Sequence, residues 1–436
     1  MNRFWEEGID SGSIPDSEAV FDAIVVGGGP GGSAAASYLA LEGKKVLLIE
    51  KFTWPRDKVC GDAVGGKSLS HVKALGVKEE LEATPHFRVT GIRFSSPNGN
   101  SVRVALPEED VERLEAGYSL PRKRFDWLMF NRANELVLEN GGAVVQNCTV
   151  RSAIVEEGRI KGVKAILKDD SEVVWFSKWT VGAGGYQCPV ARTIIKDVHN
   201  EELVDRNHYC GGYREYWRGV KGCEGNVGDI EIHFVDSIAP GYFWIFPTSE
   251  NISNVGIGVV LSELDGKDTK LKAMQADVIN NHRLFKQRFS EAEMIQGSAR
   301  GWQLPFGSPR KKAELQPRRM QMPGALLIGD AASLVDPFSG EGIGNALLSA
   351  EIAAKHILED IGGKAYQDEV WKELGAELTN SYKMQRMSRK KWLLNWFVGK
   401  AAKKKKLQEL MTEMIASKEA QGNLHSKWFL LRTLLF

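Results

Sequence analysis

The chain has 436 residues, 43% of them hydrophobic, with a mean hydropathy of −0.27; that is enough for two or three domains and too apolar for a disordered chain. Its 57 Lys and Arg offset 56 Asp and Glu, so no basic field covers the whole chain and nucleic acid is not an expected partner. Five cysteines, widely spaced and without a CxxC pair, argue against a disulfide framework or a metal site and fit a reduced cytoplasmic interior. The first twenty residues are polar and acidic, and no stretch of 18 apolar residues occurs, so a soluble or membrane-surface protein is expected.

In chain order, residues 22–26 (DAIVV) and 45–49 (KVLLI) read as buried strands flanking a glycine turn and a helix-forming stretch, which makes a βαβ unit. Residues 124–139 carry a helical pattern ended by Gly141 and Gly142, with a strand at 143–146. Residues 148–155 and 160–167 read as a hairpin, and VVWFSKWTVGAGG after them as another strand. Apolar and polar positions alternate through 210–260, as in a second, mostly antiparallel sheet. Residues 325–332 return to a buried, parallel-type strand, 343–361 read as a helix, and the last 70 residues look helical. The fold class is therefore α/β: a Rossmann-like domain, a second β-sheet domain and a helical C-terminal region.

Gly27-Gly28-Gly29-Pro30-Gly31-Gly32 supplies GxGxxG between the first strand and the helix. Gly27 allows the tight turn, Gly29 lets the backbone approach a diphosphate, and Gly32 lets helix pack on strand. Glu50 ends the second strand, where a carboxylate can accept from ribose hydroxyls. Three hundred residues later comes Ile328-Gly329-Asp330-Ala331-Ala332, then Gly340-Glu341-Gly342-Ile343-Gly344. Asp330 would stand beside a polyol such as ribityl, and the N–H groups at Gly342 and Ile343 could face a flavin carbonyl or phosphate. A nicotinamide dinucleotide does not need this second site, whereas FAD, stretched across the sheet, does.

These paired motifs resemble the FAD-dependent family that includes aromatic hydroxylases, flavin halogenases and geranylgeranyl reductases, over residues 20–360. The resemblance implies an FAD-binding part at 20–85, 117–200 and 318–362, a substrate-binding sheet at 86–116 and 201–317, and a helical tail at 363–436. Arg122, in the stretch Arg122-Lys123-Arg124-Phe125-Asp126, falls on the family's R-x-x-F-D helix start, where the family contacts FAD; the alternative is a solvated basic face. Val150 falls where the family offers adenine a main-chain contact, although packing would also explain a valine there.

Two segments favour the reductase branch. Pro55-Arg56-Asp57-Lys58-Val59-Cys60-Gly61-Asp62 resembles its P-x-x-K-x-C-G-D segment, whose Cys-Gly portion approaches the flavin. Gly61 permits close backbone approach and Ala63 keeps the next contact small. Cys60, flanked by Arg56 and Lys58, is read as a thiol of lowered pKa that serves as proton donor, or else as a packing residue. Tyr242-Phe243-Trp244-Ile245-Phe246-Pro247, followed by Gly256-Ile257-Gly258, resembles the branch's Y-x-W-x-F-P…G-x-G-G signature, with Val259 in place of the last glycine. Period two puts Tyr242, Trp244 and Phe246 on one face, able to wall a prenyl chain. Where hydroxylases carry an acid after Gly-Ala, this chain has Gly184, and the W-x-W-x-I-P segment of halogenases is missing.

The resemblance thus implies FAD-dependent saturation of C=C bonds in geranylgeranyl chains of membrane lipids such as digeranylgeranylglycerophospholipid, with NADPH, ferredoxin or another carrier as electron donor. The alternatives are a monooxygenase or halogenase, and a non-catalytic prenyl-binding flavoprotein. Finally, residues 383–406 hold ten Lys or Arg and no acid, leaving 47 basic against 56 acidic residues elsewhere. With Trp392, Leu393, Leu394, Trp396 and Phe397 among the lysines, residues 383–436 read as a peripheral anchor on an anionic membrane surface, or as a tail packed on the body.

Overall fold

The computed structural model describes residues 4–409 apart from 59, 113–115, 267–269, 311–315 and 406. Two sheets dominate. In the first, strands Gln321–Met322, Ala325–Leu327, Glu172–Gly182, Val20–Val26, Val46–Ile49 and Ala143–Val145 lie side by side in that order, and all but the first pair are parallel. The hairpin Thr149–Glu156 and Arg159–Ile166 adds to Glu172–Gly182. Ala23, Ile24 and Val25 are fully buried, as are Leu47 and Leu48, because helices cover the sheet. The crossover helix Pro30–Leu41 begins with proline at its first position and ends before Gly43, whose φ is +71°. Its Ala34, Ala35 and Ala36 are fully buried, so small side chains let it lie close between the sheet and the helices Arg122–Glu139 and Ile343–Glu359.

The second sheet has ten strands, with Tyr209–Arg218, Ile252–Val260, Tyr242–Pro247 and Val227–His233 antiparallel in sequence across its middle. It is mostly antiparallel, but Val227–His233 runs parallel to Phe87–Ser95. The short strands Ala63–Val64 and Tyr118–Ser119 also join this sheet, so the segment after Cys60 passes directly from one sheet to the other. One face of the sheet packs Phe243, Ile245 and Val255 against helix Leu271–Asn281 and Phe285; the other turns toward the first domain.

The C-terminal region continues as helices Gly363–Met387 and Lys391–Ala401, while the apolar run at 428–436 lies outside the described residues. No helix among the described residues is long and apolar enough to cross a membrane.

One buried ionic group sits within the second sheet. The Glu231 carboxylate accepts from Arg288 Nη1 and Nη2 at 2.6 and 2.8 Å and from His233 Nε2 at 2.8 Å, and Ser95 Oγ lies 2.7 Å from His233 Nδ1. Burial alone would raise Glu231, but hydrogen bonds from His233 and Arg288 outweigh it and bring the carboxyl down to about 2. Burial lowers His233, so the ring is neutral, with Nε2–H facing Glu231. A carboxyl held below its ordinary value of 4.5 adds stability above that pH and loses it as pH falls toward 2. We expect the melting temperature to drop across this window. Glu231→Gln should cost roughly 3 kcal/mol at neutral pH and flatten the acid limb; thermal melts of both proteins from neutral pH into acid check this.

Candidate functional site

The glycine loop divides by what surrounds each residue. Gly27 has φ +110°, and a Cβ there would lie 2.6 Å from the Ala183 carbonyl oxygen; a Cβ on Gly32 would meet the Gly27 oxygen at 1.8 Å. Gly31 packs on Ala346 of helix Ile343–Glu359, 3.2 Å from a would-be Cβ. The fold itself demands these. Gly29 differs: a Cβ there would meet only Arg56 Nη2, at 3.8 Å. No other described residue comes within 4 Å of that position, and Gly29 is the N-cap of a helix with no side-chain cap.

Arg56 stands over that space, its guanidinium 4.3 Å from the Trp54 ring centroid, with Nη2 3.4 Å from Glu50 and Nη1 3.7 Å from Asp126. Its Nε is buried without a partner. A cation held against the positive end of a helix is unfavourable unless an anion lies between them. A diphosphate fits this cradle. Glu50 Oε2 accepts from the Gly28 N–H at 2.8 Å and Oε1 from the Phe52 N–H at 3.0 Å, so this carboxylate holds the glycine loop.

Arg122 is 1% exposed, which excludes a solvated basic face. It pairs bidentately with Asp126, Nε to Oδ1 at 2.6 Å and Nη2 to Oδ2 at 2.9 Å, and its N–H donates to Asp62 Oδ1 at 3.3 Å. Val150 is paired with Ala165 in the hairpin, its side chain in the core, with a register shift just after it. On the far side, Asp330 follows Gly329, whose φ is +54°, in a single 3₁₀ turn, and lies 3.4 Å from Lys58 Nζ. Gly342 is the N-cap of the helix that starts at Ile343.

Tyr242, Trp244 and Phe246 share one face, with neighbouring ring centroids 6.0 and 6.2 Å apart. Each ring has a glycine beneath it. A Cβ on Gly340 would lie 2.5 Å from Tyr242 Oη, one on Gly256 2.2 Å from the Trp244 ring, and one on Gly61 2.6 Å from the Phe246 ring. Gly258 lies beside Trp244 and Cys210 Sγ, and Pro247 closes the strand. The aromatic row therefore runs from the Gly340 loop at one end to the Cys60-Gly61 segment at the other. Ala63 starts the short strand beyond Gly61.

Cys60 departs from the sequence expectation of a lowered pKa. Burial pushes the thiol up, more strongly than Arg122 and Lys58 pull it down, so it stays protonated at neutral pH. Lys58 also pairs with Asp330, and Arg56 with Glu50.

Sequence reasoning missed the polar residues that hold this segment. Arg214, fully buried, donates from Nη2 to both Asp57 oxygens at 3.0 Å and to the Lys58 carbonyl at 3.1 Å. Asn254 Nδ2 donates to the Cys60 carbonyl at 2.9 Å. Asp62 is fully buried, and burial pushes it up to about 6 against the pull of Arg214, Tyr216 and Asn254. The available signal was polar residues interrupting apolar strand runs, Arg214 within GGYREYW and Asn254 within SNVGIG.

Known proteins resemble this chain over most of its length. A family described as an FAD binding domain matches residues 20–372. The digeranylgeranylglycerophospholipid reductase of Thermoplasma acidophilum is 29% identical over 386 residues, 86% of either chain. Digeranylgeranylglycerophospholipid reductase 2 of Methanococcoides burtonii is 31% identical over 379 residues, 83% of this chain and 82% of its own. Two solved structures share the fold. A geranylgeranyl bacteriochlorophyll reductase-like protein of Thermoplasma acidophilum has TM-score 0.74 at 23% identity, covering 96% of this chain and all of its own. A myxobacterial FAD-dependent halogenase has TM-score 0.70 at 20% identity, covering 95% of each. The protein is a flavoprotein oxidoreductase whose cofactor is FAD. Within that class, the chain belongs to the family of the archaeal digeranylgeranylglycerophospholipid reductases.

Because Arg56 alone among the described residues stands near Gly29, Gly29→Val should fold but lose its flavin, with at least a tenfold weaker affinity. Circular dichroism and the visible flavin absorbance of the purified variant check both halves.

Proposed function

We propose that this chain saturates C=C bonds of geranylgeranyl chains carried by membrane lipids such as digeranylgeranylglycerophospholipid. The observation that carries this reading is the aromatic row Tyr242–Trp244–Phe246, an extended apolar face touching both loops that flank the cofactor path. An apolar chain lying along it makes no polar demand, and the names of the relatives favour a reductase over a monooxygenase or halogenase. FAD, bound and reduced, supplies the hydride. In this reading Gly29, Glu50, Arg56, Arg122, Asp330, Gly342 and Ile343 hold the cofactor, and Gly61 lets the backbone approach it. Anaerobic turnover of the reduced holoprotein with geranylgeranyl glycerophospholipid in vesicles, read by mass spectrometry, tests it: addition of hydrogen pairs supports it, and unchanged lipid, or oxygenated lipid once air is admitted, overturns it.

Cys60 holds the proton that completes the addition. An isolated alkene stabilises no carbanion, so an acid must stand ready at the second carbon, and a thiol kept protonated by burial meets that need. Cys60→Ser keeps the size and weakens the acid. It should slow single turnover with chemically reduced flavin by about ten- to a hundredfold while flavin content stays full. Stopped-flow reoxidation against lipid decides; an unchanged rate reduces Cys60 to packing.

The basic helix Lys391–Ala401 meets the membrane through one face. Val398 and Ala401, with Phe397, pack on Val102 and Phe94, so this side is a docking seam to the body. Trp392 and Trp396, one turn apart, are 67% and 37% exposed. Lys390, Lys400, Lys403 and Lys404 lie in or next to this helix, whereas Arg389, Lys391 and Lys405 are held by Glu263, Asp236 and Glu409. Exposed indoles among lysines suit the headgroup level of an anionic leaflet. Replacing both Trp392 and Trp396 by Ser should leave the fold intact, weaken co-sedimentation with anionic vesicles about tenfold, and leave the salt dependence from the lysines. Equal binding by both proteins, or no preference for anionic over neutral vesicles, contradicts it.

A further inference from the structure

We propose that Asn254 is a positioning residue that locks the Cys60 segment to the indole of Trp244, so that the reacting side of the site is registered against the wall along which the substrate runs. This rests on the function proposed above. Asn254 is fully buried in strand Ile252–Val260. Its Oδ1 accepts from Trp244 Nε1 at 2.8 Å and its Nδ2 donates to the Cys60 carbonyl at 2.9 Å. Only one amide orientation serves both neighbours, because an indole N–H can only donate and a backbone carbonyl can only accept. Gly256, two residues further along the same strand, is the seat beneath the Trp244 ring. One strand thus fixes the indole twice, from below and at its nitrogen, and reaches across to residue 60.

The segment has two anchors of different kinds. Arg214 holds it at Asp57 and Lys58 and touches none of the aromatic row by hydrogen bond. Asn254 holds it at Cys60 and touches the row directly. Losing Asn254 should therefore loosen residue 60 while the rest of the segment stays pinned.

The cysteines make this measurable. Cys60 is part-exposed as a residue with its thiol covered, while Cys148, Cys188, Cys210 and Cys223 are all buried, so faster alkylation by iodoacetamide, mapped by peptide mass spectrometry, reports a loosened residue 60. Three variants divide the two contacts. Asn254→Asp keeps the acceptor for Trp244 and, ionised at a pH above the raised carboxyl range of this site, cannot donate to Cys60. Trp244→Phe removes the indole donor and leaves the Cys60 contact. Asn254→Leu, close in size and uncharged, removes both and covers the case in which a buried aspartate prevents folding. Both Asn254 variants should be alkylated at Cys60 about tenfold faster than the parent, the order expected for one buried hydrogen bond. On geranylgeranyl glycerophospholipid, Asn254→Asp should lose kcat with KM little changed. Trp244→Phe should raise KM and leave the alkylation rate at the parental value. Parental alkylation rates in both Asn254 variants overturn the proposal, as does a Trp244→Phe rate raised as far as theirs. If the parent protein does not reduce the lipid at all, the function fails while the alkylation rates still decide whether Asn254 positions Cys60.

Discussion

Arg214 is the contact on which the site depends. A fully buried guanidinium is tolerated only when charge and hydrogen bonds surround it, and here Asp57, the carbonyls of Lys58 and Ser298, and the Tyr216 ring do so. Arg214 belongs to a central strand of the second sheet, and Asp57 and Lys58 to the segment leaving the first. Removing the arginine would strand Asp57, and removing Asp57 would leave a buried cation. The crossing between the two sheets is consequently fixed in register, and with it the path that carries Cys60 and Gly61 beneath Phe246.

From that crossing the rest follows. The glycine loop is shaped by the first sheet's own packing at Gly27 and Gly32, which leaves Gly29 with only Arg56 near it among the described residues. The aromatic row is shaped by glycines on neighbouring elements, Gly256 for Trp244, Gly61 for Phe246 and Gly340 for Tyr242. Two of these three, Gly61 and Gly340, sit on segments that adjoin the cofactor path. The same backbone sites that let the rings approach tie the apolar face to the Gly340 and Cys60-Gly61 loops.

Much of this was legible in the sequence. Both strands of the βαβ unit, the crossover helix and the hairpin after it have strong local signals, and period two correctly placed Tyr242, Trp244 and Phe246 together. The GxGxxG spacing assigned the turn to Gly27, the open position to Gly29 and the helix packing to Gly32, but not the packing of Gly31, because whether a glycine is needed for a ligand or for packing depends on atoms distant in the chain. Gly31 and Gly256 turned out to pack on Ala346 and Trp244. The Cys60 thiol was misjudged because its burial, which no local sequence pattern shows, outweighs the downward pull of Arg122 and Lys58. Arg214, Asn254 and Asp57 were hard to assign because Arg214 meets Asp57 across 157 residues and Asn254 meets Cys60 across 194. The tail was half legible: the Lys and Trp pattern marked the helix, but only packing separates the seam at Val398 from the free face at Trp392.

The central claim is that the cofactor and the prenyl chain meet between the Cys60-Gly61 segment and the aromatic row. A crystal structure of the holoprotein soaked with geranylgeranyl glycerophospholipid tests it most directly. The account predicts the isoalloxazine beside Cys60 and Gly61, and the chain extended along Tyr242, Trp244 and Phe246 with one double bond over the flavin. A chain bound elsewhere, with the aromatic row covered by protein or facing away from the flavin, would contradict it.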